Sequence, residues 1–475
     1  MKNYHSYSEI RSDLDLGIVS CEDIVNHHLA VIQAKNPLIN AFLEVFSVEA
    51  LLQAKAIDKK IKNGSAGRLA GLVVGIKDLF CFSGHQLTCA SKILEGFESQ
   101  ITATCIERLL TEDAIVIGRQ NCDEFAMGSS NENSAYGITR NPIDESTVPG
   151  GSSGASAAAV AADMCQVSIG SDTGGSVRQP ASFCGIVGLK PTYSRISRYG
   201  LTAYASSFDC VGVLSKSVED AQLVLDVMAG HDPRDSTSSK KPALPSHEEQ
   251  RANKKIVFFK ELSSASGCTQ EIKESFSNFR QQLTEQGHEV VEMSFPYLDY
   301  LLPIYYILTS AEASANLSRY DGVRYGKRVG GAEVLEQMYK RTRTEGFGEE
   351  VLRRIILGTF VLSSSYQDAF YTKAQKARRL VKDFTANILE NHDFIVMPTT
   401  PTTAFKIGEK SEDPLEMYLS DIFTVQASVS GLPAISIPYG ADKSGLPIGM
   451  QIISGAFEEH KLLHFADRLM ITQTV

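Results

Sequence analysis

Three short stretches of this 475-residue chain carry side chains able to do acyl-transfer or proton-transfer chemistry. The first is Gly150-Gly151-Ser152-Ser153-Gly154, which formally matches G-x-S-x-G, the turn that presents a nucleophilic serine in α/β hydrolases. That turn needs a strand running straight into it, and Asp144–Pro149 has no apolar run. A Gly/Ser connection would explain the composition, but not the abrupt helix former Ala155–Ala162 that follows. The second stretch is Asp172-Thr173-Gly174-Gly175-Ser176. Two glycines ahead of a serine let backbone N–H groups turn inward together, as an oxyanion hole requires. An ordinary Gly-Gly turn capped by serine would use the same residues. A serine is a poor nucleophile at its own pKa and needs a base within reach, yet the histidines nearest in sequence are the distant His85 and His231. The third is Lys77, directly after the apolar run Leu72–Ile76 and before Asp78. On the surface it would be a solvated cation; buried, desolvation would disfavour its ammonium and free the amine to act as a base.

Together these fragments say more than each does alone. Lys77 and the two serine loops resemble the amidase signature family, whose catalytic unit is Ser–Ser–Lys. Ser176 follows Ser152 by 24 residues and Lys77 by 99, which is that family's register. The resemblance includes 73–80 (VVGIKDLF), 147–156 (TVPGGSSGAS), 168–197 and GLPIGMQII near the C-terminus, so it covers nearly the whole chain. It implies an α/β fold with a mixed, twisted central sheet covered by helices on both faces. It further implies that Ser176 attacks an amide carbonyl, that Ser152, preceded by a cis peptide, relays the proton, and that neutral Lys77 is the base. The N–H groups of Thr173, Gly174 and Gly175, with that of Ser176, would form the oxyanion hole. One departure is Gly154-Ala155-Ser156, where many members have Gly-Gly-Ser.

Within the family, residues 302–326, 346–371 and 413–438 resemble most closely the glutamine-hydrolysing A subunits of tRNA-dependent amidotransferases. That resemblance implies glutamine held by Tyr305, Asp421 and an arginine that is either Arg354 or its neighbour Arg353, with Arg354 preferred. The chemistry agrees, since a guanidinium can fork onto an α-carboxylate and a carboxylate can take an α-ammonium. Read without the resemblance, Tyr305 is a core aromatic beside Tyr306, Arg354 a helix charge beside Arg353, and Asp421 a helix-surface acid. The resemblance also implies partner B and C subunits in a heterotrimer, with ammonia channelled to the B subunit. There ATP and Mg²⁺ would drive amidation of glutamyl-tRNA(Gln) or aspartyl-tRNA(Asn), and the charged tRNA would be held mainly by that partner. No G-x-x-x-x-G-K-[ST] occurs in this chain, so no ATP cofactor is expected on it. The alternatives are a stand-alone amidase for another small amide, for which a zwitterion pocket would be wasted, and a non-catalytic scaffold, which would need none of Lys77, Ser152 and Ser176.

The rest of the chain must position these groups. Lys and Arg total 46 against 56 Asp and Glu, a formal charge of −10, which argues against a broad nucleic-acid surface. Hydrophobic residues make up 43% and charged residues 21%, the composition of a folded globular chain. Nine scattered cysteines without a C-x-x-C pair read as reduced thiols, and H-E-x-x-H is absent, so no metal site is expected. The N-terminus has no apolar signal region and no long apolar run follows, so the chain reads as cytoplasmic, with a bacterial source implied. A single domain over 1–475 is expected, with helices over about 1–64, a catalytic core over 65–230, a surface connection at 232–255 and the remaining core over 256–475. Ser20 reads as an N-cap, and Asn36-Pro37 as a helix break within two or three helices over 7–63. Strands are expected at 72–76, 114–118, 167–170, 255–259, 289–295 and 394–398. A hairpin is expected from 434–438 and 450–453, and helices at 155–162, 270–286 and 458–472, with 303–390 mostly helical. Short strands alternating with helices indicate a layered α/β sheet.

Overall fold

The short β-branched runs assemble into one sheet. The computed structural model describes residues 2, 4–242, 253–264, 267–411 and 413–471. Among these, the strands in chain order are β1 (Phe42–Val45), β2 (Val73–Lys77), β3 (Ile115–Gln120), β4 (Val167–Asp172), β5 (Val187–Lys190) and β6 (Cys210–Ser215). They continue as β7 (Lys255–Phe259), β8 (Glu289–Met293), β9 (Phe394–Pro398), β10 (Ala434–Ala441) and β11 (Pro447–Ile453). Their order across the 11-stranded sheet is β1-β3-β2-β4-β6-β5-β10-β11-β9-β7-β8. Pairing is parallel between β2 and both β3 and β4, and again between β7 and both β8 and β9. The other neighbours run antiparallel.

Every residue of β2, β3, β4, β5, β6 and β9 is buried. Side chains alternate between the two faces of a strand, so both faces of the sheet's middle are covered. This is the mixed, helix-covered α/β sheet expected from the sequence. The parallel register of β2 and β4 pairs Ile76 with Ile169. It sets the carboxyl ends of these strands, at Lys77 and Asp172, side by side. That is the edge where open α/β sheets place their sites.

Three local readings need correction. The helix Cys21–Ile39 runs through Pro37 and stops at Asn40, whose φ of 56° and ψ of 44° end it in the left-handed region. Pro37 lies in the last turn, where one lost backbone bond is offset by burying Ile39. Just beyond it, Phe42–Val45 forms the edge strand β1 in a region read as wholly helical; four residues are too few to show a period of two. The Ser20 cap is as expected, with a full capping box to Asp23. The connection read as surface at 232–255 is anchored at its start. Asp232 accepts from Ser197 Oγ at 2.7 Å and Asp235 from the Arg198 N–H at 2.9 Å, and both acids are buried. Its residues 243–252 lie outside the described ones.

Two helices on one side of the carboxyl edge carry the remaining candidates. Leu298–Asn316 bears Tyr305, and Glu349–Leu362 bears Arg354. They touch closely at Gly358, where an added Cβ would lie 1.9 Å from the Ser310 carbonyl oxygen. Backbone cannot retreat as a side chain can, so the pair depends on glycine there. Gly358→Ala is expected to destabilise the protein by about 1–3 kcal/mol, read as a lower urea midpoint; an unchanged midpoint would show that the helices are free to separate.

Candidate active site

Lys77 ends β2 and is completely buried. Its Nζ donates to three hydroxyls, Ser152 Oγ at 2.7 Å, Ser153 Oγ at 2.9 Å and Ser171 Oγ at 3.0 Å. Among the described residues, no carboxylate is hydrogen-bonded to it. Burial therefore dominates and lowers the amine to about 8, against the weaker pull of Cys122, Asp123, Asp172 and Asp209. An amine with that poise exchanges a proton near neutrality.

Ser152 is buried behind the surface and follows a cis peptide bond from Gly151. Its loop is pinned by Gln179, whose Oε1 accepts the Gly151 N–H at 2.8 Å while its Nε2 donates to the Ser129 carbonyl at 2.7 Å. Ser176 retains 8% exposure, whereas Lys77 and Ser152 retain none. Of the three, it is the one a substrate can reach. It joins the cluster through its main chain, the Ser153 N–H donating to the Ser176 carbonyl at 3.1 Å. Among the described residues, no hydrogen bond links the Ser152 and Ser176 hydroxyls.

The loop that presents Ser176 is built around a buried ion pair. Asp172, the last residue of β4, accepts from Arg178 Nε at 3.0 Å and Nη2 at 2.8 Å, both side chains having no exposure. The same carboxylate takes the N–H groups of Gly175 at 2.9 Å and Val177 at 3.2 Å. Burial alone would raise its pKa, but Arg178 and these bonds hold it below the usual range. The Gly175 N–H is thus committed to the loop itself. Gly175 has φ +140°, and an added Cβ would meet Thr424 Oγ1 at 2.1 Å, so no larger residue fits.

Of the three residues expected to hold substrate, Tyr305 and the turn of Asp421 meet this loop. The Tyr305 ring lies against Gly174, whose added Cβ would sit 2.5 Å from Tyr305 Cζ. Burial raises the Tyr305 phenol well above its ordinary value, so it stays protonated. Thr424 Oγ1 donates to the carbonyls of Gly174 at 2.6 Å and Asp421 at 3.0 Å, tying the Asp421 turn to the serine loop. Asp421 is buried, accepts from Ser129 Oγ at 2.6 Å, and is raised by burial to about 7. The adjacent arginines differ in burial. Arg353 is exposed and pairs with Glu349, while Arg354 is 3% exposed. Its Nε donates to Glu350 Oε1 at 2.8 Å and its Nη1 to Tyr204 Oη at 2.7 Å. The guanidinium also stands over the rings of Tyr204, Tyr306 and Tyr418, at 5.1–5.6 Å from their centroids.

Sequence reasoning passed over Ser153, Ser171, Gln179, Arg178, Tyr204 and Glu350. The first four lie inside the stretches already singled out, where a polar side chain beside a motif residue was the available signal. Tyr204 and Glu350 carry no local signal. Among the described residues, no group of three or more His, Cys, Asp or Glu side chains is placed to hold a metal ion, and no helix is long and apolar enough to cross a membrane.

Comparison with known proteins identifies the family and the fold. A family model described as Amidase matches residues 23–463. The A subunit of a glutamyl-tRNA(Gln) amidotransferase from Chlorobium phaeobacteroides is 51% identical over 469 residues, covering 98% of each chain. The crystal structure of the corresponding A subunit of the glutamyl-tRNA(Gln) amidotransferase from Thermotoga maritima matches at 40% identity and a TM-score of 0.77, covering 93% of this chain and 90% of that one. A 6-aminohexanoate cyclic dimer hydrolase is 26% identical with a TM-score of 0.84, covering 98% of this chain and 97% of its own.

The ion pair at the serine loop makes a sharp prediction. Asp172→Ala would leave the Arg178 guanidinium buried without its partner, at an expected cost of about 3–5 kcal/mol. Chemical denaturation checks it; a loss typical of a surface pair would show that water or another acid replaces Asp172.

Proposed function

The chain belongs to the amidase signature family, and from that premise we propose that it is the glutamine-hydrolysing A subunit of a tRNA-dependent amidotransferase. The observation that carries this reading is a buried Asp421 tied to the Ser176 loop through Thr424, with a buried Arg354 near enough to act electrostatically on both Asp421 and Tyr305. An arginine and an aspartate fit the α-carboxylate and α-ammonium of an amino acid, and the tyrosine between them covers its apolar stem.

In this mechanism neutral Lys77 takes the proton of Ser152 as Ser152 takes that of Ser176. The Ser176 oxygen attacks the side-chain amide carbon of glutamine, and the carbonyl electrons move onto oxygen. Since the Gly175 N–H already serves Asp172, the oxyanion falls mainly to the N–H groups of Thr173, Gly174 and Ser176. Of the N–H groups the resemblance implies, those of Thr173, Gly174 and Gly175 with that of Ser176, only the Gly175 one is thus given a lesser part. Collapse breaks the C–N bond, the proton returns to nitrogen through Ser152, and ammonia leaves. Water then attacks the glutamyl ester, with the same relay removing its proton, and glutamate is released. Ser152 must close onto Ser176 during the reaction, and catalytic hydrogen bonds commonly tighten once substrate is bound.

The ammonia would pass to a B subunit, which with ATP and Mg²⁺ would amidate glutamyl-tRNA(Gln) or aspartyl-tRNA(Asn), a C subunit completing the heterotrimer. The function for which the relatives are named supports this assignment. A stand-alone amidase remains the competing reading.

Co-expressed with its partner subunits, the chain is expected to release ammonia from L-glutamine, and Ser176→Ala to release none. Arg354→Gln should lower kcat/KM for glutamine about tenfold to a hundredfold, the effect of losing a charge-assisted hydrogen bond. A simple amide such as propionamide, which has no α-carboxylate, should lose much less. Equal losses on both substrates would overturn the glutamine assignment in favour of the stand-alone amidase.

The pH dependence follows from two lone groups. Lys77 must be unprotonated to act, so kcat should rise with pH through a limb near the Lys77 value of about 8. Asp421 must be ionised to hold an ammonium, so KM for glutamine should climb as pH falls below about 7. A kcat that is flat from pH 6 to 9, measured as ammonia release at saturating glutamine, would exclude Lys77 as the base.

A further inference from the structure

Between the oxyanion loop and the arginine clamp lies one carboxylate that neither the sequence motifs nor the mechanism above uses. Asp209 immediately precedes β6 and is 3% exposed. Its Oδ1 accepts from Thr173 Oγ1 at 2.7 Å, and so reaches the loop that supplies the oxyanion donors. Its Oδ2 accepts the Tyr204 N–H at 3.0 Å, and the Ala205 N–H lies 3.0–3.2 Å from both oxygens. Tyr204 in turn receives the Arg354 Nη1 proton on its hydroxyl and presents its ring to the same guanidinium. One buried group therefore holds two structures by adjacent atoms. On one side is the hole for the reacting carbonyl, and on the other the clamp for the far end of the same substrate.

We propose that Asp209 is a positioning residue that sets the distance between the oxyanion loop and the Arg354 clamp, and thereby selects the length of the amino-acid side chain that is hydrolysed. This rests on the reading of Arg354 as the α-carboxylate clamp. The geometry of the substrate explains why such a spacer matters. In glutamine the reacting carbonyl and the α-carboxylate are separated by a fixed number of bonds, and asparagine is shorter by one methylene. Arg354 sits on a helix packed far along the chain from β4, and Thr173 sits at the end of that strand. Main-chain pairing alone does not connect them. Asp209 does so through two short polar links, with no flexible side chain longer than tyrosine in the path. It acts on the two ends of the site through Thr173 and Tyr204, beside a weaker electrostatic pull on Lys77.

The test uses the full chain co-expressed with its partner subunits, with ammonia release measured from L-glutamine, L-asparagine and propionamide. Asp209→Asn keeps one oxygen acceptor but cannot serve both links as the carboxylate does. Wild-type discrimination for glutamine over asparagine should fall by about tenfold, the scale of one methylene in a shaped pocket. Propionamide, which does not engage the clamp, should lose less than glutamine does. Asp209→Glu, which restores the charge but lengthens the spacer, should not recover the glutamine preference. If the glutamine-to-asparagine ratio stays at the wild-type value while all three rates fall together, Asp209 is only structural and the proposal is overturned.

Should Asp209→Asn fail to fold, Thr173→Val cuts the bond from Asp209 to the oxyanion loop and Tyr204→Phe the hydroxyl through which Tyr204 meets Arg354, in an otherwise intact chain. Their effects on glutamine kcat/KM are expected to be non-multiplicative in the double variant; strictly multiplicative effects would mean that the two links are independent, which also overturns the proposal. The outcome is separable from the broader reading. A wild type that does not hydrolyse glutamine defeats the glutaminase assignment, whereas a glutamine-specific wild type with an insensitive ratio defeats the Asp209 role alone.

Discussion

The site depends on a buried ion pair that does no chemistry. Asp172 and Arg178 have no solvent exposure, and the carboxylate takes two backbone N–H groups of the loop between them as well as two guanidinium donors. Arg178 also donates to the Thr424 carbonyl at 2.7 Å, to Ser428 Oγ at 3.0 Å and to Gln451 Oε1. Desolvating two charges offsets much of their attraction, so such a pair adds little net stability over a well-packed apolar substitute. What it adds here is a unique loop conformation. With the carboxylate satisfied by Gly175, Val177 and the guanidinium, the chain between Asp172 and Arg178 has one arrangement, and Ser176 projects from it. The pair also staples the first half of the chain to β11 and to the Asp421 turn. The nucleophile and one wall of the pocket thus share an anchor.

A second constraint is the dryness of the sheet's carboxyl edge. Lys77 is the end residue of a strand buried along its whole length, and its amine meets only hydroxyls. Hydroxyls satisfy an amine's donors without stabilising its positive charge as a carboxylate would. The pKa therefore falls towards the range where a histidine titrates. The same burial raises Asp421 and Asp209. One structural fact, a site sunk at the end of a covered sheet, tunes the base and the pocket acid together. It also explains the ranking of exposure in the triad, with only Ser176 open to substrate.

Much of this was legible in the residues. β2 announces itself as an apolar run ending at Lys77, and β4 was read over 167–170, two residues short of its end at Asp172, with the glycine-rich turn that follows marking the unusual backbone. The sheet's layering followed from the alternation of strands and helices. The edge strand β1 did not, because Phe42–Val45 is too short to show a periodicity. Pro37 misled for a related reason: a proline in the final turn costs one hydrogen bond, and a buried Ile39 outweighs it. The buried start of the 232–255 connection was hidden because polar residues read as solvated until their partners are known. Asp232 and Asp235 meet donors from Thr104, Ser197 and Arg198, far away in sequence. Tyr204 and Asp209 escaped for the same reason, since their importance lies wholly in what they touch. Composition records how polar a residue is, but not what satisfies it.

The architecture also separates reactivity from selectivity. Lys77, Ser152 and Ser176 stand on or beside the central parallel strands, whereas Tyr305 and Arg354 stand on two helices that meet at Gly358. The strands are fixed by main-chain ladders and the ion pair. The helices are fixed by side-chain packing, which tolerates substitution better than a hydrogen-bond ladder does. A structural neighbour at 26% identity with a TM-score of 0.84, named for cleaving a cyclic amide, fits such a division. The covered sheet can be held constant while the helical wall is rebuilt around a different amide. In this chain the wall carries a guanidinium clamped by Glu350 and Tyr204 and stacked among three tyrosines. An arginine held so firmly has already lost its rotamer freedom, so the cost of ordering this part of the wall is met by the fold itself.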